Sequence, residues 1–171
     1  MRPVDELGHT VSRRLYAIKR GMYPGGRPGA VARGLNWLSR WQFSAGVLSP
    51  HYAVTLEVVG RSSGRPIMLP LVVAEYEGER FLVSMLGPEA NWVRNVRAAG
   101  GRAVLHRRGR EEVRLVEVGA GDRAAILRRY LAVAPGARPH FPIDRHADLG
   151  EFEKIAERYP VFRVDAVAGN E

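Results

Sequence analysis

The chain has 171 residues, of which 46% are apolar and none is cysteine. That is room for one domain with a real core, and it excludes disulfides, thiolate metal sites and cysteine nucleophiles. The formal net charge is +8, but residues 1–40 carry eight basic and two acidic side chains, and residues 41–171 carry eighteen and sixteen. The excess therefore belongs to the N-terminal segment, which argues against a nucleic-acid protein with positive charge spread over one face among aromatics.

The opening MRPVDELGHT lacks the apolar run of a signal peptide, so the chain reads as unexported and cytoplasmic. No apolar run approaches the ~18 residues that span a bilayer. Val4, Leu7, Val11, Leu15, Ile18 and Met22 recur at helical spacing, with Arg13, Arg14, Lys19 and Arg20 off the stripe. This predicts a helix laid on the domain, with peripheral membrane contact through residues 1–22 as the functional alternative. A Pro/Gly loop follows, and Leu35, Trp37, Leu38, Trp41 and Phe43 predict a second short helix. Residues 1–50 thus read as a helical segment on the barrel, and 51–171 as the β body.

In that body Val54, Leu56 and Val58 alternate with Thr55 and Glu57, the period of a half-buried strand. A turn about 62–64 leads to a strand over 67–76, where Pro70 implies an edge or a bulge because it cannot donate to a ladder. Glu77-Gly78 signals a hairpin into a strand at 80–85. Residues 91–99 read as a helix stopped by Gly100-Gly101. A second hairpin folds about Arg108-Gly109. Asp122 is placed to cap a helix with the stripe Ile126, Leu127, Tyr130 and Leu131. Asp148 and Glu151 have capping-box spacing before Phe152, Ile155 and Ala156. Pro160 ends that helix, and Val161, Phe162 and Val164 make a last strand. Short antiparallel strands with inserted and terminal helices predict a mainly antiparallel α+β domain or small barrel.

Two motifs carry chemistry. Gly60-Arg61-Ser62-Ser63-Gly64-Arg65-Pro66 matches G-x-S-x-G, yet a nucleophile elbow needs a helix after it, and here Pro66 and a strand follow. As an anion cradle the same turn offers outward N–H groups, two hydroxyls and two guanidiniums; its bland reading is a solvated hairpin. No G-x-G-x-x-G follows a strand and no P-loop pattern occurs. His140, Asp144 and His146 lie in a Pro-bearing loop without metal-site spacing, and no metal is expected. In Asn91-Trp92-Val93-Arg94-Asn95, Trp92 and Asn95 share a helix face. A buried amide there needs a partner, and a flat heteroaromatic ligand would supply one.

The order strand, G-R-S-S-G-R-P, strand, E-G-E-R hairpin, strand, N-W-V-R-N-V-R-A, strand resembles the deazaflavin-dependent nitroreductase and quinone reductase family of actinobacteria. The match is strongest over about 52–118. The resemblance implies a split β-barrel and coenzyme F420, an 8-hydroxy-5-deazaflavin with a phospholactate and polyglutamate tail. It implies that Arg61, Ser62, Ser63, Gly64 and Arg65 hold that tail, that Ser84, Met85 and Leu86 line the ring pocket, and that Trp92 and Asn95 approach the ring. It further implies hydride transfer to a small-molecule acceptor such as a quinone, an enone or a nitro compound, with Tyr130 or solvent as proton source. Pairing through the sheets would give a homodimer. Two departures remove charge: Ser62 stands where the family often has lysine, and Ile67 where it often has arginine, with Arg65 and Arg94 as compensating charges. Two other readings stay open: flavin mononucleotide as the coenzyme, or a non-catalytic barrel holding a fatty acid or a haem-derived pigment.

Overall fold

A computed structural model describes residues 52–167. The helices expected within residues 1–50, with their membrane contact and the first domain boundary, lie outside the described residues. Six strands form a closed barrel in the order β1-β2-β3-β6-β5-β4. They are β1 (Ala53–Val59), β2 (Pro66–Tyr76), β3 (Glu79–Val83), β4 (Arg102–His106), β5 (Arg110–Glu117) and β6 (Val161–Ala166). Every neighbouring pair is antiparallel. Among the described residues three α-helices accompany them: α1 (Asn91–Ala98), α2 (Ala124–Val133) and α3 (Leu149–Ile155).

Alternation along the strands builds two cores. Val54, Leu56 and Val58 of β1 point into the barrel, with Leu105, Val113, Leu115, Leu82 and Phe162, and α1 adds Trp92, Val93 and Val96. The opposite faces of β2, β3 and β6 place Val72, Ala74, Phe81, Val83 and Val161 under α2 and α3, against Leu127, Tyr130, Leu131 and Phe152. The stripe read on α2 is thus the buried one.

Pro70 sits inside β2 without a bulge, opposite Thr55. Val73 donates its N–H to the Tyr52 carbonyl at 2.8 Å, so by alternation the Pro70 nitrogen faces away from β1. Pairing with β3 reaches only Val73↔Leu82, and no ladder bond is forgone at the proline. Glu77 (φ 50°) and Gly78 (φ 80°) form the two-residue turn, a geometry that matches strand twist. α1 ends as expected: Gly100 has φ 63°, and the N–H groups of Gly100 and Gly101 reach the carbonyls of Arg97 (3.1 Å) and Val96 (2.9 Å), the paired bonds of a Schellman motif.

Two caps differ from expectation. Asp122 closes a 3-10 turn (Ala120–Asp122), and the residue before α2 is Arg123, with helical dihedrals and no side-chain cap. Arg123 is drawn inward by four acceptors and takes the chain with it. Asp148 does precede α3 with extended dihedrals, but its side chain makes no cap bond. Glu151 turns instead to Lys154, so the reciprocal box does not form.

Candidate functional site

The turn between β1 and β2 is closed by its own backbone. Gly60 N–H reaches Arg65 O and Gly64 N–H reaches Gly60 O, both at 2.8 Å. A Cβ at Gly60 would stand 2.6 Å from Ser63 Oγ and 2.8 Å from Ile67 Cδ1, so a larger residue there would have to push both side-chain ends aside. Arg65 N–H donates to Ser63 Oγ at 3.3 Å. The N–H groups of Ser62 and Ser63 meet no acceptor among the described residues, and neither does the exposed Arg65 guanidinium. Three outward donors on one exposed turn suit an anion.

Arg61 behaves differently. Its Nη1 donates to Asn95 Oδ1 at 2.9 Å, its backbone N–H to the same oxygen at 3.2 Å, and its Nη2 to Asn91 Oδ1 at 3.3 Å. The buried amide of Asn95, 2% exposed, therefore has its partner within the chain, where the sequence argument sought one in a ligand. Trp92, 9% exposed, tilts against Phe162 with ring centroids 5.5 Å apart; it is chiefly a core residue with one edge at the surface. Arg94 pairs with Glu89, so its charge is cancelled rather than lent to the turn.

The turn and α1 face each other across a groove of about 450 Å3. Arg61, Ser62, Ser63, Leu86, Trp92 and Asn95 line it, together with Gly60, Ile67, Met68, Leu69, Ala90 and Asn91. Gly64 and Arg65 belong to the same turn but stand off the lining. Ser84 and Met85 do not reach it. Ser84, 1% exposed, donates its hydroxyl to Gly87 O at 2.7 Å and shapes the loop that presents Leu86, 60% exposed. Met85 packs into the core beneath α2 and α3. Tyr130 lies in that core too, where burial pushes its phenol well above its usual range, and it is absent from the groove. Around the loop at 140–146, Asp144 Oδ1 accepts the His146 N–H at 2.8 Å, and no cluster of metal-binding side chains occurs among the described residues.

Met68 and Leu69 are not among the residues the motifs single out, and Ile67 enters there only as a lost charge. Their signal was present: three successive apolar residues in a strand put at least one on the outer face. The site thus joins an apolar floor, an aromatic edge, and a rim of amide and guanidinium donors with no carboxylate among the described residues.

Residues 43–140, more than half of the chain, match the family model described as F420H(2)-dependent quinone reductase. No curated protein matches. Among solved structures, one named F420-H2 dependent reductase (FDR-A) is 17% identical over 66% of this chain and 93% of its own, with a TM-score of 0.46. One described as a domain-swapped dimer is 15% identical over 94% of this chain and 100% of its own, with a TM-score of 0.52. A conserved hypothetical protein of Mycobacterium tuberculosis is 15% identical over 75% and 79%, with a TM-score of 0.46.

Proposed function

The chain belongs to the F420H(2)-dependent quinone reductase family, a family of oxidoreductases whose coenzyme is F420, and from that premise we propose that it reduces an electron-poor acceptor of the quinone class in the groove between residues 60–65 and α1. The observation that carries this reading is the meeting of the donor-rich turn and the helix start, thirty residues apart in sequence, in one groove. Its chemistry fits a coenzyme with a flat ring and an anionic tail. The free N–H groups of Ser62 and Ser63 and the Arg65 guanidinium take the tail. Leu86, Met68 and Leu69 offer an apolar bed for the ring, beside the Trp92 edge.

When bound, the reduced deazaflavin supplies a hydride equivalent to the acceptor. The chain's own work is orientation and charge. The apolar floor orders two flat molecules in contact, and the uncancelled Arg61 and Arg65 charges favour the anionic partner. The acceptor also takes up a proton. The groove lining holds no carboxyl, histidine or tyrosine among the described residues, and Tyr130 is on the far core, so solvent at the open groove is the proton source.

The test is a fluorescence titration of the protein with the deazaflavin coenzyme and with flavin mononucleotide, followed by acceptor screening. Selective deazaflavin binding and oxidation of the reduced coenzyme by quinones support the reading; binding of neither cofactor refutes it. Comparison of quinones with enones and nitro compounds fixes the acceptor class. A homodimer belongs to the proposal, on the split-barrel resemblance and a similar structure described as a domain-swapped dimer; sedimentation decides it. Lipid-borne quinones would give the basic segment 1–22 a membrane partner for a cytoplasmic protein. Liposome pelleting that weakens with salt is expected, and pelleting indifferent to salt or to removal of 1–22 sinks the idea.

A further inference from the structure

The turn holds two arginines in opposite circumstances. Arg65 is exposed, and its guanidinium has no partner among the described residues. Arg61 is tied to α1 at three points, through Nη1 (2.9 Å) and its backbone N–H (3.2 Å) to Asn95 Oδ1 and through Nη2 (3.3 Å) to Asn91 Oδ1. Asn95 is 2% exposed, so its oxygen cannot exchange Arg61 for bulk water without parting the turn from the helix. The partners are also neutral. Arg80, Arg97 and Arg163 each face a carboxylate, whereas Arg61 faces amides and keeps its charge uncancelled.

We propose that Arg61 is a positioning residue: it clamps the 60–65 turn onto α1 through Asn95 and Asn91, and leaves contact with the anionic tail to Ser62, Ser63 and Arg65. The proposal rests on the reading of the groove as the coenzyme site. A short turn built on Gly60 and Gly64 is adaptable, and anion affinity depends on its N–H groups being held in place before the ligand arrives. The clamp does this, and its charge adds a favourable field behind the donors.

Two readouts separate this from a direct contact. The first is amide exchange at Gly60 and Gly64 in the ligand-free full chain, since both N–H groups are bonded within the turn, with β4 amides as the reference. The second is Kd for coenzyme F420 and for the same deazaflavin ring without its anionic tail. Arg61→Ala and Asn95→Ala each speed exchange at both glycines by roughly tenfold relative to β4. Each also weakens coenzyme binding, and the double variant is no worse than either alone, because the pair acts as a unit. Asn95→Asp keeps the acceptor, so exchange stays slow, but it cancels the charge, so coenzyme binding weakens. Arg65→Ala weakens the tailed coenzyme alone and leaves exchange unchanged. Arg61→Lys, which cannot span both amides, replaces Arg61→Ala should that variant not fold. Unchanged exchange in Asn95→Ala overturns the clamp, and so does weakened binding in Arg61→Ala with native binding in Asn95→Ala. An unaltered protein that fails to bind the coenzyme removes the groove assignment, and the exchange data then decide the clamp alone.

Discussion

Replacing Arg123 with methionine tests how the helical layer is fixed to the barrel. The guanidinium is buried, with the residue 7% exposed. Nε donates to Val118 O at 2.8 Å, Nη1 to Ala156 O at 3.2 Å and Tyr159 O at 3.4 Å, and Nη2 to Glu117 Oε1 at 3.2 Å. Of the three carbonyls, Ala156 keeps a second donor in the Tyr159 N–H at 3.3 Å. Methionine therefore orphans two acceptors, the part-buried carbonyl of Val118 and the buried one of Tyr159, at ~1–3 kcal/mol each. Removal of a desolvated charge offsets part of that loss, and the net expectation is about 3 kcal/mol. Urea unfolding of the full chain measures it. With an m-value of ~1–3 kcal/mol per M for a domain of this size, the midpoint falls by roughly 1–3 M. A loss below about 1 kcal/mol would show that water reaches these carbonyls in the variant, and the argument from burial would be wrong.

Gly101→Ala is expected to cost ~2 kcal/mol or more, because Gly101 has φ 82° and a Cβ would stand 2.5 Å from the Leu115 carbonyl oxygen, whose strand cannot yield cheaply; a melting temperature within a degree of native counts against this. Ser84→Ala leaves Gly87 O without its hydroxyl donor, and thermal unfolding should show a loss of ~1–2 kcal/mol. Acid should weaken the fold. Glu117 is held below the ordinary carboxylate range by its hydrogen bond from Arg97, Glu111 by that from Arg80 and Asp165 by that from Arg163. Their folded values lie below their unfolded ones, so this stability is complete above the ordinary carboxylate range and is lost as pH falls through the depressed values. The effect is modest, since solvent screens these partly exposed pairs, and a urea midpoint that stays flat from neutral pH to about pH 3 contradicts it.

The barrel was legible because its signals are local. Two-residue alternation in β1, the Glu77-Gly78 turn, the Gly100-Gly101 stop and the α2 stripe all act within a few positions of the residues that reveal them. What escaped was set by distant atoms. Asp122 lost its capping place because Arg123 answers to carbonyls at Ala156 and Tyr159, more than thirty residues away. Met85 and Leu86, adjacent in sequence, part company because one faces the helical layer and the other the groove. At the site, the two motifs were readable as donors and as an aromatic helix start. That Arg61 spends its hydrogen bonds on Asn95, 34 positions on, is not written in either motif alone, since spacing along a chain carries no direction for a long side chain.

β2, β3 and β6 form a wall shared by two dry compartments: Val73, Leu82 and Phe162 look into the barrel, while Ala74, Phe81 and Val161 look toward α2 and α3. In a sheet wetted on one side, sliding a strand by a single residue drives polar groups indoors and is rejected at once. Here the slide would exchange one oily neighbour for another, and polarity offers little objection. Register must instead be policed by bulk, with alanine at 74 beside phenylalanine at 81 and valine at 161 beside phenylalanine at 162, and by the tight turn at Glu77-Gly78 that leaves no slack. Substitutions that even out those sizes should therefore blur the alignment of this wall before they unfold it.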